Sequence, residues 1–431
     1  MRNGNRHKLI TCFLLAVIMT VSLAGCTTFD SFRHTFIDPA STDAAPVITI
    51  GVFEPQTGKN AERGKAEIKG IELANSIYNN VDGYKIVLSK VDTQSKASTA
   101  GTAFQGLLEM NPVAVIGSAG EATSLVASEY VEENKIPTIT PSATNPLITQ
   151  TNGFYFRACI TGSQMGEGLA EYAYRELKSR KIGIISIKND TNTAAIIDGF
   201  EAKIKKLARK KSKAIVLTSE ITDTEEEITE AVKDIRRNAC DVCFVSMGTE
   251  SMDKLFSKVE ELNLTDITFL GNRSWGSKDF VAMMGNHPDI KVVFPYSSVM
   301  VGDSSSTDNL TEEAQRFQIE YASKYGSDDI PTDSAALGYD SYLILINAIH
   351  NAKSLYGTAI RDAMLDLKDL KGVTGVFSFD SNGNVVRTVN LSTIKDGMVV
   401  SEYVTMSEAE AKDLEDIEST QNTEDNGHGI S

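Results

Sequence analysis

Hydrophobic and polar positions alternate along the chain from residue 47 onward between two patterns. Short runs rich in β-branched residues, typical of buried strands, are followed by longer stretches with the spacing of an amphipathic helix. The first series consists of ITIGVF, a helix over 62–79, YKIVLSKV, a helix over 96–110, VAVIG, a helix over 121–133, and IPTIT. Because strands that alternate with helices form parallel βαβ units, the pattern predicts an α/β fold with a doubly wound parallel sheet.

A second series follows the same rhythm and predicts a second lobe. It consists of KIGIISI, a helix over 194–207, KAIVLTS, a helix over 225–238, DVCFVSM, a helix over 251–262, ITFLG and IKVVFPY. Two later helical patterns, at 311–325 and 334–352, fit neither series cleanly, and three strand patterns (FSFD, NVVRTVNL and MVVSEYV) end the folded part. This order indicates that the chain passes between the lobes more than once. The folded part, about 360 residues, is also longer than one hydrophobic core usually serves.

The loop PSATNP at 141–146 follows the predicted strand IPTIT. In an open parallel sheet, ligands bind beyond the carboxyl ends of the strands, where loop hydroxyls and free N–H groups converge on an anionic group. Ser142 and Thr144 are therefore candidate ligand contacts. The alternative is that the Ser, Thr and Asn residues only cap and turn the chain before the next helix.

The first 25 residues have the three parts of a secretory signal peptide. Arg2, Arg6 and Lys8 form a basic start, an apolar run covers 9–21, and LAGC at 23–26 is a small-residue cleavage site. This apolar run is shorter than the roughly 20 residues that a transmembrane helix needs. LAGC also resembles a bacterial lipobox, in which Cys26 would be lipidated and become the first residue of the mature chain. The alternative is an ordinary signal peptide with a chance cysteine.

Both ends of the mature chain are predicted to be unstructured. Residues 26–45 are rich in Thr, Ser, Asp, Ala and Pro, which suits a flexible tether, and residues 406–431 form a disordered acidic tail. The formal net charge is −16, and removal of residues 1–25 takes away three positive side chains and leaves −19. A chain this acidic is not expected to bind nucleic acid.

Motifs that would indicate catalysis, a metal or a cofactor have little support. Cys240 and Cys243 have CxxC spacing but lead into an apolar strand, so structural cysteines are favoured. His287 and His350 have no clustered partner in the sequence. The segment 51–59 has six residues between its glycines where a P-loop needs four, and no GxSxG nucleophile elbow occurs. The sequence therefore predicts that the chain is not an enzyme and has no metal or cofactor.

A series of segments resembles the type I periplasmic solute-binding proteins, within them the branched-chain amino acid (Leu/Ile/Val) binding family of ABC importers. In order, the segments are ITIGVFEPQTG with GKAEIKGIELA, VIGS with ENKIPTITPSATNP and FYFR, IGIISIKND, TFLGNRSWGS, AALGYDSY and GVFSFDSNGN. The resemblance covers nearly all of residues 46–405. It implies two doubly wound α/β lobes that are joined by a three-crossover hinge and close on a ligand, as in a Venus flytrap.

By this resemblance, lobe 1 comprises 46–159 and 298–375, and lobe 2 comprises 160–297 and 376–405. The crossovers are then expected near 158–161, 294–297 and 375–377. Three crossing segments would permit bending about a hinge and restrict twisting, so ligand binding would shift the population from an open to a closed form.

The resemblance also extends to the site. Ser142, Ala143 and Thr144 match the family's loop for the ligand carboxylate, and Ser118 ends the matching VIGS segment. Trp275, the only tryptophan, could line the cleft, or it could be a packing residue.

Departures from the family pattern change the expected ligand. Arg273 stands where the family usually has an acid for the ligand ammonium, Glu121 where it often has a serine, and Arg63 at a common aromatic position. Thr191 and Gly248 stand at two frequent tyrosine positions, which disfavours a branched aliphatic ligand. If Arg63 and Arg273 hold anionic groups and Glu121 a cationic one, the ligand is a polar zwitterion, an acidic amino acid or another small polyfunctional solute. The alternative is that these are solvated charges at the rim.

The resemblance implies an extracytoplasmic protein, lipid-anchored to the bacterial cell membrane, that captures an amino acid or a similar small polar solute. It would deliver this solute to the permease and ATPase subunits of an ABC importer. Two alternatives stay open at this point. A lipid-anchored sensor could present its closed form to a signalling receptor, and an enzyme on a similar scaffold would turn over the bound solute.

Overall fold

The computed structural model describes residues 45–208, 214–296 and 311–405. The predicted signal peptide at 1–25, Cys26, all but the last residue of the tether at 26–45, and the acidic tail at 406–431 lie outside the described residues. None of the described helices combines the length and the hydropathy that crossing a membrane requires.

The first lobe is built on a parallel sheet. Its strands are β1 (Val47–Glu54), β2 (Asn80–Val81), β3 (Tyr84–Asp92), β4 (Ala114–Gly117), β5 (Thr138–Thr140) and β6 (Tyr155–Arg157). The helices between them are α1 (Ala61–Ile77), α2 (Ala97–Leu108), α3 (Glu121–Asn134) and α4 (Leu147–Gln150). The strand order is β2-β3-β1-β4-β5-β6, and only the short edge strand β2 is antiparallel to its neighbour. Every residue of β4 and β5 is buried, as expected for strands covered on both faces.

The second lobe contains a second sheet of mainly parallel strands. The remaining strands are β7 (Ile182–Ile187), β8 (Ile215–Ile221), β9 (Val242–Ser246), β10 (Thr268–Leu270), β11 (Lys291–Pro295), β12 (Leu370–Lys371), β13 (Val376–Phe379), β14 (Val385–Val386), β15 (Asn390–Lys395) and β16 (Met398–Val404). The second sheet has the order β16-β15-β11-β10-β9-β7-β8, in which β15 and β16 are antiparallel, while β12, β13 and β14 form a small antiparallel sheet. Two sheets of this kind confirm the predicted fold class.

Helices continue through the rest of the chain. They are α5 (Gly162–Glu171) with a π-helical turn at Tyr172–Glu176, α6 (Thr191–Ala208), α7 (Glu225–Arg237), α8 (Thr249–Glu261), a 3₁₀ turn at Arg273–Gly276, α9 (Lys278–Met284), α10 (Glu312–Tyr325), α11 (Asp333–Ala352) and α12 (Gly357–Leu365). A capping box starts α5, because the Thr161 side chain accepts from the Gln164 N–H and the Gln164 side chain accepts from the Thr161 N–H.

The late helix α11 packs against α1 of the first lobe. The two helices approach closely at Gly70 and Gly338, where a side chain would overlap backbone atoms of the opposite helix at Ala335 and Glu67. Thr332 caps α11 by accepting from the Ala335 N–H at 3.3 Å. The pattern at 334–352 that fitted neither series therefore belongs to the first lobe.

Three passages connect the two sheets. The first runs from the end of β6 to α5, the second follows β11 and is only partly described, and the third ends where β15 begins at Asn390. The backbone N–H of Tyr296 donates to the carbonyl of Asn390 at 3.0 Å, so the second and third passages lie side by side. The small sheet starts at Val376, and the chain reaches the second sheet only at Asn390; the lobe boundaries given above stay predictions.

Candidate functional site

A cleft lies where the carboxyl ends of the two sheets meet. From the first lobe, Glu54 ends β1 and the loop at 141–146 follows β5, and from the second lobe, Arg273 follows β10 and Tyr296 follows β11. The guanidinium of Arg273 lies 3.3 Å from the carboxylate of Asp333, the first residue of α11, so this ion pair connects the two lobes. The site thus has the position that the open parallel-sheet fold predicts.

The polar donors of the loop at 141–146 are bound by protein groups. Glu121, the first residue of α3, accepts from the Thr144 N–H at 2.7 Å, from the Thr144 hydroxyl at 3.1 Å and from the Asn145 N–H at 2.8 Å. The Ser142 hydroxyl donates to Glu67, and the Ala143 N–H donates to the Thr140 hydroxyl at 3.1 Å. The loop therefore already surrounds a carboxylate, and that carboxylate is Glu121.

A buried arginine supports this loop by donating hydrogen bonds to its carbonyl groups. Arg157 is fully buried and donates to the carbonyls of Ala143 at 3.1 Å and Asn145 at 2.7 Å, and to the Thr149 hydroxyl at 3.4 Å. Burial lowers the pKa of this guanidinium. Because a buried guanidinium that lost these acceptors would be strongly destabilising, Arg157 fixes the loop in one conformation.

Two buried glutamates lie beside the loop. Glu54 and Glu67 have no exposed surface, and burial followed by repulsion from Glu67 raises the pKa of Glu54 well above its ordinary value. Burial also raises the pKa of Glu67. Hydrogen bonds with Glu54 and Ser142 and the attraction of Arg63 and Arg273 lower this pKa, but by less than burial raises it. Both carboxyl groups therefore hold a proton more tightly than an exposed glutamate does, because they share a site that is removed from water.

A cavity of about 400 Å³, a volume that includes open solvent at its mouth, lies on the hinge side of the cleft. Its lining residues come from both lobes and from the passages between them: Cys159, Ile160, Met165, Arg273, Pro295, Tyr296, Asp333, Leu337, Thr374, Arg387, Thr388 and Asn390. The Cys159 thiol contacts the carbonyl of Ala143 at 3.5 Å, so the cavity adjoins the loop at 141–146.

Arg387 is held in place at the wall of this cavity. Its Nη1 donates to the carbonyl of Thr374 at 2.9 Å and to the Thr374 hydroxyl at 2.7 Å, and its guanidinium lies over the Phe377 ring at 5.2 Å. Buried Asp340 accepts from the N–H groups of Val373 and Thr374 and from the Thr374 hydroxyl. Burial raises the pKa of Asp340 to about 7, despite these three bonds.

The structure separates the predicted site residues into two groups. Glu121, Ser142, Ala143, Thr144 and Arg273 lie at the cleft, as described above. Arg63 is an exposed residue of α1 that donates to the carbonyl of Ala119 at 3.4 Å. Thr191 begins α6, and its side chain lies outside the described part of the structure.

Ser118 and Trp275 are buried away from the cleft surface. The Ser118 hydroxyl accepts from the Gly120 N–H at 3.2 Å and from the Thr123 hydroxyl at 3.0 Å. Trp275 is 1% exposed, and its ring stacks on Phe280 with a centroid distance of 4.8 Å. Between the two possibilities for Trp275, this placement is that of a packing residue, because both faces of the indole are in the second lobe's hydrophobic core.

Several residues of the site were not predicted from the sequence. They are Glu54, Glu67, Arg157, Asp333, Asp340, Tyr296 and Arg387. A signal existed for Glu54, an acid at the end of an otherwise apolar strand, and for Arg387, a cation within the strand pattern NVVRTVNL. Within residues 45–208, 214–296 and 311–405, no three His, Cys, Asp or Glu side chains are grouped so that they could hold a metal ion.

Comparisons with known proteins agree with the fold. The family model described as periplasmic binding protein matches residues 47–398. An amino acid binding protein of Pseudomonas aeruginosa is 30% identical over 52% of this chain, and the match spans 60% of that relative's length. The branched-chain amino acid transporter substrate-binding protein LivJ from Streptococcus pneumoniae, in complex with isoleucine, superposes with a TM-score of 0.66 at 23% identity, covering 83% of this chain and 99% of that one.

A second solved structure widens the range of ligands among similar folds. A solute-binding protein of an ABC transporter from R. palustris, in complex with benzoate, superposes with a TM-score of 0.63 at 22% identity, covering 83% of this chain and 96% of that one. At these identities the two structures show the shared fold alone. The family model over residues 47–398 is that of a binding protein, which agrees with the prediction that the chain is not an enzyme.

Proposed function

The chain belongs to the periplasmic binding protein family, and from this premise we propose that it captures an amino acid or a similar small polar solute in its cleft. Its family places it outside the cytoplasm. The observation that carries the proposal is the cavity of about 400 Å³ at the carboxyl ends of both sheets, lined by charged side chains from both lobes. Sites for small molecules are concave, and a few convergent polar groups in them orient the ligand.

The connections between the lobes support a mechanism of opening and closing. Arg273 of the second lobe and Asp333 of the first lobe face each other across the cleft, while the passages between the sheets lie on one side of it. A ligand that contacts both lobes binds the closed form more tightly than the open form, so it shifts the population toward closure. Closure is then the signal that a transport partner recognises.

The ligands of the similar proteins guide the choice of solute. Isoleucine and benzoate, named with the two solved structures above, are both carboxylic acids. We propose that the solute bound by this chain is also a small organic acid or amino acid. The half-buried charges of Arg273, Asp333 and Arg387 suit a polar ligand better than a purely aliphatic one.

We further propose how the solute is delivered and how the protein is held at the membrane. The closed protein would pass its solute to the permease and ATPase subunits of an ABC importer, and a lipid on Cys26 would keep it at the membrane surface. The support is the family membership for delivery and the LAGC segment at 23–26 for the anchor.

A thermal-shift screen tests solute binding. The purified protein is heated with each member of a panel of amino acids, carboxylic acids, polyamines, amides and nucleosides. A ligand at 100 times its dissociation constant stabilises the folded state by about 2.7 kcal/mol, which is a clear shift in melting temperature. Recovery of the solute chemically unchanged is expected; a panel without any shift would contradict the proposal.

Membrane fractionation tests the anchor. The wild-type chain expressed in a bacterium is expected in the membrane fraction, and Cys26→Ser in the soluble fraction, because the thioether-linked lipid cannot form on serine. Equal fractionation of the two proteins would contradict lipidation. Loss of solute uptake after deletion of the gene, with restoration by the wild-type gene, tests delivery to an importer.

A further inference from the structure

The loop at 141–146 has its donors bound to acidic side chains of the protein. Glu121 accepts from two backbone N–H groups and one hydroxyl of this loop, and Glu67 accepts from Ser142. A solute carboxylate at this position would have to displace Glu121 and then lie beside the two buried carboxyl groups of Glu54 and Glu67. Carboxylates at such short range repel each other strongly in a partly buried site.

The hinge-side cavity, in contrast to this loop, has more positive than negative side chains in its lining. Arg273 and Arg387 both line it, and Asp333 is the one acidic side chain among its lining residues. Asp340 lies behind Thr374, and both of its oxygens accept hydrogen bonds from residues 373 and 374. Asp340 also attracts Arg387, and burial raises the pKa of Asp340 to about 7.

We propose that this cavity, between Arg273 and Arg387, holds the carboxylate of the bound solute. The inference rests on the proposed solute-binding function and assigns the solute class, an organic or amino acid whose carboxylate points to the hinge. Guanidinium donors form paired, charge-assisted hydrogen bonds with a carboxylate, which is the geometry that a planar fork favours.

Both arginines are positioned before any ligand arrives. Arg387 is fixed by two hydrogen bonds from its Nη1 to Thr374, and by stacking on Phe377, while Arg273 is paired with Asp333. Each guanidinium has five N–H donors, so these contacts leave further donors in each fork. Arg273 follows β10 of the second lobe and Arg387 follows β14 of the small sheet, so a carboxylate between them connects two separate parts of the fold.

Calorimetric titration with matched pairs of acid and amide tests the inference. The probes are benzoate and benzamide, L-isoleucine and L-isoleucinamide, and glutarate and glutaramide, each titrated into the full-length chain. At least one acid is expected to bind at least tenfold more tightly than its amide. Arg387→Gln and Arg273→Gln are each expected to weaken the binding of that acid at least tenfold, and Arg387→Lys, which keeps the charge but loses the fork, by a smaller factor.

Controls separate this inference from the proposed function. Arg237→Gln removes an exposed arginine of α7 and is expected to leave acid binding unchanged, and thermal melts verify that each variant is folded. If an acid binds and neither Arg387→Gln nor Arg387→Lys weakens it, while Thr144→Ala does, the carboxylate lies at the loop and the inference fails although the function stands. Amides that bind as tightly as their acids would also contradict the inference, because the site would then not recognise a carboxylate. If no probe binds the wild-type chain, the inference and the proposed solute class fail together.

Discussion

At the cleft edge of the first lobe, the loop at 141–146 donates to Glu121 and Glu67 and is supported by Arg157, whereas at the hinge-side edge Arg273 and Arg387 face a cavity. Both edges are rich in charge, but they use it differently. At the first edge, acidic side chains of the protein accept from the donors of the loop, so these charges maintain the shape of the loop. The second edge keeps donors directed at the cavity. The charge of a residue therefore does not by itself identify a ligand contact. What matters is whether protein groups already occupy its hydrogen bonds.

Changing the pH is expected to give the largest effect on stability, because buried acids lie at both edges. The pKa of Asp340 is raised from 3.8 to about 7, and that of Glu54 is raised well above its ordinary value, in each case mainly by burial. The folded state holds these protons more tightly than the unfolded chain does, so stability falls as pH rises from about 4 toward 7. Asp340 alone accounts for about 4 kcal/mol of this loss.

Urea unfolding at pH 4.5, 5.5, 6.5 and 7.5, followed by circular dichroism, measures this slope. Asp340→Asn cannot ionise, and its unfolding free energy is expected to fall less steeply, by up to about 1.4 kcal/mol per pH unit. Parallel slopes for the variant and the wild-type chain would show that Asp340 is ionised throughout this range.

Replacing Arg157 with Met tests the internal support of the first edge. The variant leaves the carbonyls of Ala143 and Asn145 without their buried donor, so we expect the unfolding free energy to fall by about 3 kcal/mol. Arg237→Met, at an exposed position of α7, is the matched control and is expected to change it by less than about 0.5 kcal/mol. A similar result for both variants would contradict the supporting role of Arg157.

Glu121→Gln tests whether Glu121 is part of the loop structure or a ligand contact. An amide has one acceptor oxygen where the carboxylate has two, so one of the N–H groups of Thr144 and Asn145 faces an NH₂ group. We expect a loss of about 1 to 2 kcal/mol in unfolding free energy without ligand. Glu129→Gln, on the exposed face of the same helix, is expected to have no measurable effect. If Glu121→Gln and Glu129→Gln were equally stable, Glu121 would be a candidate ligand contact and not a structural part of the loop.

The ion pair across the cleft is expected to have the smallest effect. Arg273 and Asp333 are partly exposed and 3.3 Å apart, so a double-mutant cycle with Arg273→Gln and Asp333→Asn should give a coupling energy below about 1 kcal/mol in the absence of ligand. A coupling above about 2 kcal/mol would indicate that this pair, rather than the bound solute, holds the lobes together.

The sequence predicts most of the secondary structure, because buried parallel strands and the helices between them have strong periodicity. The predicted helix at 225–238 is observed as Glu225–Arg237, and the predicted strand KIGIISI as Ile182–Ile187. The small sheet was not predicted as a separate unit, since its strands β12 and β14 have two residues each and leave no pattern. The π-helical turn at Tyr172–Glu176 likewise has no periodic signal of its own.

The site was predicted less completely, since its chemistry depends on pairs of residues far apart in the sequence. The sequence places Glu121 and Thr144 in the cleft, but it does not show that Glu121 binds the loop. Arg387 and Thr374 come from the small sheet, whose position depends on the third passage between the lobes. The position of Trp275 could not be predicted for a similar reason. Its ring lies against Gly271, where a side chain would overlap it, and this contact exists only in the folded second lobe.

The packing of α11 against α1 also determines the order in which the protein can be completed during synthesis. Asn75 and Tyr342 are hydrogen-bonded although they are 267 positions apart, and 14 of the 20 residues of α11 are buried. When the first sheet leaves the ribosome, the helix that covers it has not been translated. Contacts between distant segments form slowly, and a lobe without its last helix exposes apolar surface. The first lobe therefore cannot complete its hydrophobic core until residues 333–352 have been synthesised.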